Sequence, residues 1–97
     1  MKTQKGLVDD LTALGRSAED IVHSIRSLDI KGVVRCSSSC PIANYLKGKG
    51  WDNPMATQSY VAASNEGEQF YFQLTMPLHN FIVMFDREDY PDLIEDA

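Results

Sequence analysis

The spacing of apolar residues changes period twice along this chain, and that change decides the class of fold. Up to about residue 46 the apolar side chains recur at helical intervals; over residues 69–75 they alternate; from residue 78 the helical interval returns. Leu7, Val8, Leu11 and Leu14 mark a first helix, Leu7–Leu14, with Gly15 after it as a C′ residue. Ser17 has the chemistry of an N-cap, and Asp20, three residues on, completes a weak capping box. Ala18, Ile21, Val22, Ile25 and Leu28 line one face of a second helix, Ala18–Leu28, which Lys31-Gly32 ends. Val33-Val34 is a short strand or an extended lead into the next loop.

Cys40-Pro41 reads as N-cap and first residue of a third helix, because proline lacks an N–H where none is needed. Ile42, Tyr45 and Leu46 form its stripe, and it stops near Lys47, before Gly48 and Gly50. Trp51-Asp52-Asn53-Pro54 has turn composition. Met55–Ala63 and Gln69–Thr75 are the expected strands of one antiparallel hairpin. Between them lies Ser64-Asn65-Glu66-Gly67-Glu68, where Gly67 is free to take a positive φ. Leu78, Phe81, Ile82 and Phe85 predict a fourth helix, Pro77–Glu88, broken at Tyr90-Pro91, with a last turn over Pro91–Asp96. The expectation is a single α+β domain over residues 1–97, helices around one hairpin, in the order α-α-α-β-β-α.

Composition narrows the partners. The hydrophobic content of 43% suits one modest core. The net charge of −5 is unevenly spread. Residues 26–49 carry Arg26, Lys31, Arg35, Lys47 and Lys49 against Asp29; residues 50–97 carry Arg87 against nine acids. A nucleic-acid binder usually has a basic balance, so such binding is the weaker expectation and would rest on Lys31, Arg35, Lys47 and Lys49. The acidic tail (Asp86, Glu88, Asp89, Asp92, Glu95, Asp96) reads as a solvated end. No apolar run follows the first lysines, and the longest, Phe81–Phe85, is far short of the roughly 20 residues of a membrane span. A cytoplasmic protein without a membrane segment is expected. Two cysteines are too few for a disulfide scaffold, so both are expected as thiols.

Three segments together resemble a group of small uncharacterised proteins from actinobacteria and their phages. They are Ser17-Ala-Glu-Asp-Ile21 with Lys31-Gly32; Cys40-Pro41-Ile42-Ala43-Asn44-Tyr45-Leu46; and Phe85-Asp86 with Tyr90-Pro91-Asp92-Leu93-Ile94. The resemblance implies a layout of helices, a Cys-Pro helix start and a hairpin, and suggests an accessory or regulatory role; it implies no activity. Members often carry Cys-x-Cys-Pro, whereas here three serines separate Cys36 from Cys40.

The candidate chemistry is thin. Cys40 at a helix N-cap, with Arg35 nearby, has two influences favouring thiolate, but reads first as a small, buried residue that caps the helix and packs. The spacing Cys-x-x-x-Cys fits neither a Cys-x-x-Cys redox motif nor a Cys-x5-Arg phosphatase loop. Cys36, Cys40, His23 and His79 match no zinc-finger spacing, so no metal and no cofactor are expected. Ser37-Ser38-Ser39 before a helix has anion-cradling potential but reads first as a polar loop. No Gly-x-Ser-x-Gly or phosphate loop accompanies them. The function expected is therefore non-catalytic: a module that binds another protein or itself. Trp51, Tyr71, Val83 and Met84 are the expected contact residues, because Val83 and Met84 widen the apolar face of the fourth helix and the hairpin is rich in aromatics. The alternatives are a thiol redox or zinc protein centred on Cys36 and Cys40, and weak anion binding by the basic middle segment.

Overall fold

The computed structural model describes residues 2–95. Three helices, α1 (Gln4–Thr12), α2 (Ala18–Ser27) and α3 (Pro41–Gly48), precede three strands, β1 (Asp52–Ala56), β2 (Tyr60–Asn65) and β3 (Glu68–Gln73). Helix α4 (Met76–Asp86) and a 3-10 turn, Pro91–Leu93, complete the chain. The strands form one antiparallel sheet in the order β1-β2-β3. The α+β class holds, with a correction to the order: it is α-α-α-β-β-β-α, a three-stranded meander in place of one hairpin.

The extra strand arises because the stretch expected as one strand, Met55–Ala63, turns back on itself. Thr57 makes the corner: its hydroxyl accepts from the N–H groups of Ser59 and Tyr60 at 3.1 and 3.0 Å. Its own N–H donates to the Tyr60 carbonyl at 2.8 Å. A threonine hydroxyl replaces a backbone partner here, without glycine or proline to mark the turn. Upstream, the expected turn at Trp51–Pro54 is partly strand. Asp52 opposes Ser64 and Met55 opposes Ala62, so β1 carries an extra residue there; Asn53 absorbs it with φ 46°. Pro54 is tolerated because β1 is an edge strand. The β2–β3 turn falls where expected with Gly67 at φ 84°, but it is tighter: Ser64, Asn65 and Glu68 belong to the strands, and Glu66 at φ 53° supplies the second positive value of a type I′ hairpin.

Helix ends follow their caps. α2 starts on Ser17, whose hydroxyl accepts from Asp20 N–H at 3.0 Å. α1 starts earlier than its apolar stripe because Thr3 accepts from Gly6 N–H at 3.1 Å. α3 starts at Pro41 with Cys40 as N-cap. α4 spans Met76–Asp86 where Pro77–Glu88 was expected, and the last turn is Pro91–Leu93, Asp96 lying outside the described residues. Val33-Val34 forms no strand; the extended pairing falls one residue earlier, where Gly32 bridges in parallel to Ile94.

Helix faces and the inner sheet face, Ala56, Val61, Ala63 and Phe70, bury one continuous apolar cluster. Asp10 ties α1 to the rest: its carboxylate accepts from the Trp51 indole N–H at 2.8 Å and its carbonyl accepts from the Tyr45 hydroxyl at 2.6 Å. Among the described residues no helix is long and apolar enough to cross a membrane.

The tightest crossing is at Gly32. Its N–H donates to the Leu93 carbonyl at 2.9 Å and its carbonyl accepts from Glu95 N–H at 2.8 Å. On its other side, a Cβ would lie 2.5 Å from Pro41 N and 2.6 Å from the Cys40 carbonyl carbon. Those neighbours are backbone or ring atoms and cannot swing aside. Gly32→Ala should therefore lower stability by about 1–3 kcal/mol, the usual cost of overpacking. Gly48→Ala, in α3 with nothing within 4 Å of the new methyl, should raise it by about 0.4–1 kcal/mol. Urea unfolding midpoints of the two variants should move in opposite directions.

Candidate functional site

Residues 35–40 form a loop pinned at several points. Arg35 sits at φ 55°, a left-handed value uncommon outside glycine. Its N–H donates to the Asp86 carboxylate at 2.9 Å, and its guanidinium donates to the Asp86 carbonyl at 2.8 Å. A longer ion pair, 3.7 Å, reaches Glu88. The Ser37 carbonyl accepts from Ala56 N–H at 2.9 Å, so the loop pairs with the outer edge of β1. The Ser38 carbonyl accepts from the Lys47 ammonium at 2.9 Å.

The two thiols have opposite environments. Cys40 is only 3% exposed. Its sulfur accepts from Ala43 N–H at 3.5 Å and lies 4.0 Å from the Ala56 carbonyl. Burial pushes its pKa up, outweighing the helix-end N–H groups, which pull it down. The influence expected of the N-cap is present but outweighed by burial, and the one expected of Arg35 is absent because Arg35 is committed to Asp86 and Glu88, so the packed reading of Cys40 holds. Cys36 is half-buried, 3.7 Å from the Ser38 hydroxyl. Hydrogen bonds from Ser38 and then Ser39 hold its pKa below the ordinary thiol value. Both cysteines line one cleft of about 300 Å³, together with Arg35, Thr57, Gln58 and Asp86. Among the described residues no three or more His, Cys, Asp or Glu side chains gather as a metal would require, so Cys36, Cys40, His23 and His79 are not brought together. His79 instead places Nδ1 2.7 Å from the Gln58 carbonyl.

The basic residues do not converge. Arg35 faces Asp86, and Lys47 is spent on Ser38. Lys49 lies over the Tyr45 ring at 5.7 Å, and Lys31 borders a separate hollow with Arg26, Asp29 and Asp92. A strong phosphate contact needs several cations on one locus.

The expected contact residues separate into two groups. Trp51 is 3% exposed, packed edge-on against Phe70 at 5.7 Å with Lys2 at 5.0 Å over its ring; it belongs to the core. Val83 and Met84 are half-buried, and the Tyr90 hydroxyl reaches the Met84 sulfur at 3.4 Å. Tyr71 is different: it is 61% exposed on the outer sheet face. There Met55, Ala62 and Tyr71 stand side by side across all three strands. Tyr60 joins them, its ring 6.2 Å from that of Tyr71 and its hydroxyl 3.8 Å from the Met55 sulfur. Tyr60 and Met55 are 38% and 36% exposed. The sequence reading counted Tyr60 only among the hairpin aromatics in general and did not single out Met55 as a surface residue. The signal was the Thr57 corner, which puts Met55 and Tyr60 on the same face as Tyr71.

No protein-family model matches this chain, and no curated protein or solved structure matches it significantly.

The thiol environments make a direct prediction. Under native conditions at neutral pH, iodoacetamide should label Cys36 at least about tenfold faster than Cys40, because only Cys36 combines access with a lowered pKa. In denaturant the two rates should converge. Peptide mass mapping against time reads both rates; preferential native labelling of Cys40 would contradict these environments.

Proposed function

We propose that this is a non-catalytic protein-binding module whose contact surface is the outer face of the sheet, centred on Tyr60, Tyr71 and Met55. One observation carries the reading: an in-register row, Met55–Ala62–Tyr71, with Tyr60 beside it, stands exposed on the side of the sheet away from the core. Ala62 in the middle is 4% exposed yet stands outside the core cluster. Its burial comes from the larger side chains around it, which already form a small apolar patch.

The chemistry of the face suits a protein. Its remaining outward positions are Ser64, Gln69 and Gln73, with Asp52 at one corner. Depletion of charge together with tyrosine and methionine is the composition that marks the centre of protein interfaces. Tyrosine brings large area at little cost in conformational entropy. The half-buried Val83 and Met84 form a weaker surface, since Tyr90 covers part of it. The anion-binding alternative has less support because the cations are dispersed and partly paired. The likeness to small actinobacterial and actinophage proteins favours an accessory or regulatory factor acting in the cytoplasm.

The paired variant Tyr60→Ala/Tyr71→Ala should lose at least about tenfold in affinity for a protein partner, since two aromatic anchors at an interface centre each cost 1 kcal/mol or more on truncation. Its thermal midpoint should change little, because both rings are outside the core. Capture from a cytoplasmic extract, followed by titration of the captured partner, measures the effect alongside a scan of folding stability. Equal affinity of the variant and the parent chain would remove this face from the function.

A further inference from the structure

We propose that Cys36 and Cys40 form a peroxide-responsive thiol pair, in which Cys36 is oxidised first and Cys40 resolves it to an intramolecular disulfide. This goes beyond the binding function and does not rest on it, since neither cysteine lies on the outer sheet face.

Three observations carry it. Both thiols line the same cleft of about 300 Å³. The chain between them is folded back: Ser39 N–H donates to the Cys36 carbonyl at 3.1 Å, closing a turn whose ends lie within about 7 Å. Cys40 is the next residue, and a disulfide needs Cα atoms about 4.4–6.8 Å apart. The sulfurs also bracket the same short loop. Cys36 Sγ is 3.7 Å from the Ser38 hydroxyl, and Cys40 Sγ is 3.9 Å from the Ser37 carbonyl. Cys36 is the more accessible of the two and Cys40 the buried one, so Cys36 is the thiol that meets an oxidant first.

The steps balance as follows. The Cys36 thiolate attacks the terminal oxygen of a hydroperoxide; the O–O bond breaks, and water or an alcohol leaves. The sulfur loses two electrons and becomes a sulfenic acid. Cys40 sulfur then attacks Cys36 sulfur; the S–O bond breaks, and the hydroxyl leaves as water with the Cys40 proton. Two thiols and one hydroperoxide give one disulfide, one water, and one water or alcohol. Cys40 is packed at 3% exposure, so the second step requires the loop to lift from β1. In the disulfide the Cys40 sulfur gives up its capping contact with Ala43, and the Ser37–Ala56 bond beside it is loosened.

Purified full-length chain is treated with hydrogen peroxide under native conditions, and intact mass and peptide linkage are measured at the end point. The parent chain should lose two hydrogens, with Cys36 linked to Cys40 in one chain and the mass restored by dithiothreitol. Cys40→Ser, which retains a capping side chain, should instead gain one oxygen on Cys36, trapped by dimedone. Cys36→Ser should form neither product. An end point in which the parent chain carries oxygen on Cys36 without hydrogen loss would overturn the proposal. So would a disulfide found only between chains, or first oxidation at Cys40. The parent chain alone separates these outcomes should a variant fail to fold.

Discussion

The whole arrangement turns on how closely three backbone segments meet at Gly32. The C-terminal segment holds Gly32 by two hydrogen bonds on one side, while the first peptide of α3 presses against its Cα on the other. No side chain fits between them. The crossing sets where α3 begins, and α3 in turn carries Ile42 and Leu46 into the core. Full burial of a side chain of that size stabilises by about 1.5–3 kcal/mol. The exposed ion pair that also retains the C-terminal segment, Arg26 with Asp92 at 2.6 Å, belongs to a class worth about 0–1 kcal/mol. Position at this crossing is therefore decided by backbone contact and burial, with the ion pair a minor addition.

A sheet of three short strands has two edges to protect, and the chain protects both with side elements. β1 gives its Ala56 N–H to the serine loop through Ser37. On the opposite edge Gln4, at the start of α1, donates its amide to the Tyr71 carbonyl at 2.6 Å. Unpaired edges invite association with other chains, so these contacts, one on each edge, leave the outer face as the open side of the sheet. That face is the one bearing Tyr60 and Tyr71. The serine loop accordingly acts as an edge cover, which explains why it is tied down by Lys47 and Asp86.

Much of this was legible from the sequence where a single local rule governed the outcome. Ser17 and Cys40-Pro41 announce their helices because capping chemistry is local. Gly67 announces its turn because glycine takes a positive φ freely, whereas Glu66 at φ 53° beside it was not foreseeable from residue type. The third strand was hidden because Thr57 turns the chain with a hydroxyl, and threonine is otherwise a strand former. Trp51 was misplaced because a tryptophan beside a proline turn looks exposed; only the tertiary fold brings Asp10 to its indole N–H. The simpler reading of Cys40, a small packed residue capping its helix, holds; only the influence expected from Arg35 fails. Sequence places Arg35 near Cys40, but the fold places Asp86 nearer to Arg35.

The distribution of polar groups separates what holds the fold from what is left over for contact. Among the described residues no polar or charged residue is buried and no buried side-chain polar atom lacks a partner. Asp10 and Asn44 are consumed in joining elements, Asn44 donating to the Lys31 and Ser39 carbonyls at 2.7 and 3.1 Å. Arg35 and Lys47 are consumed in fixing the loop. Of the large apolar side chains left exposed, Met55, Tyr60 and Tyr71 share the outer sheet face, while Leu28, Val33 and Met76 stand singly elsewhere. A tyrosine ring that packs on a partner gains by removing apolar area from water, and that gain survives physiological salt. The same salt screens exposed lysines spaced beyond about 8 Å from their targets. The recognition proposed for the sheet face would therefore rest on shape more than charge, and a net charge of −5 would disfavour acidic partners.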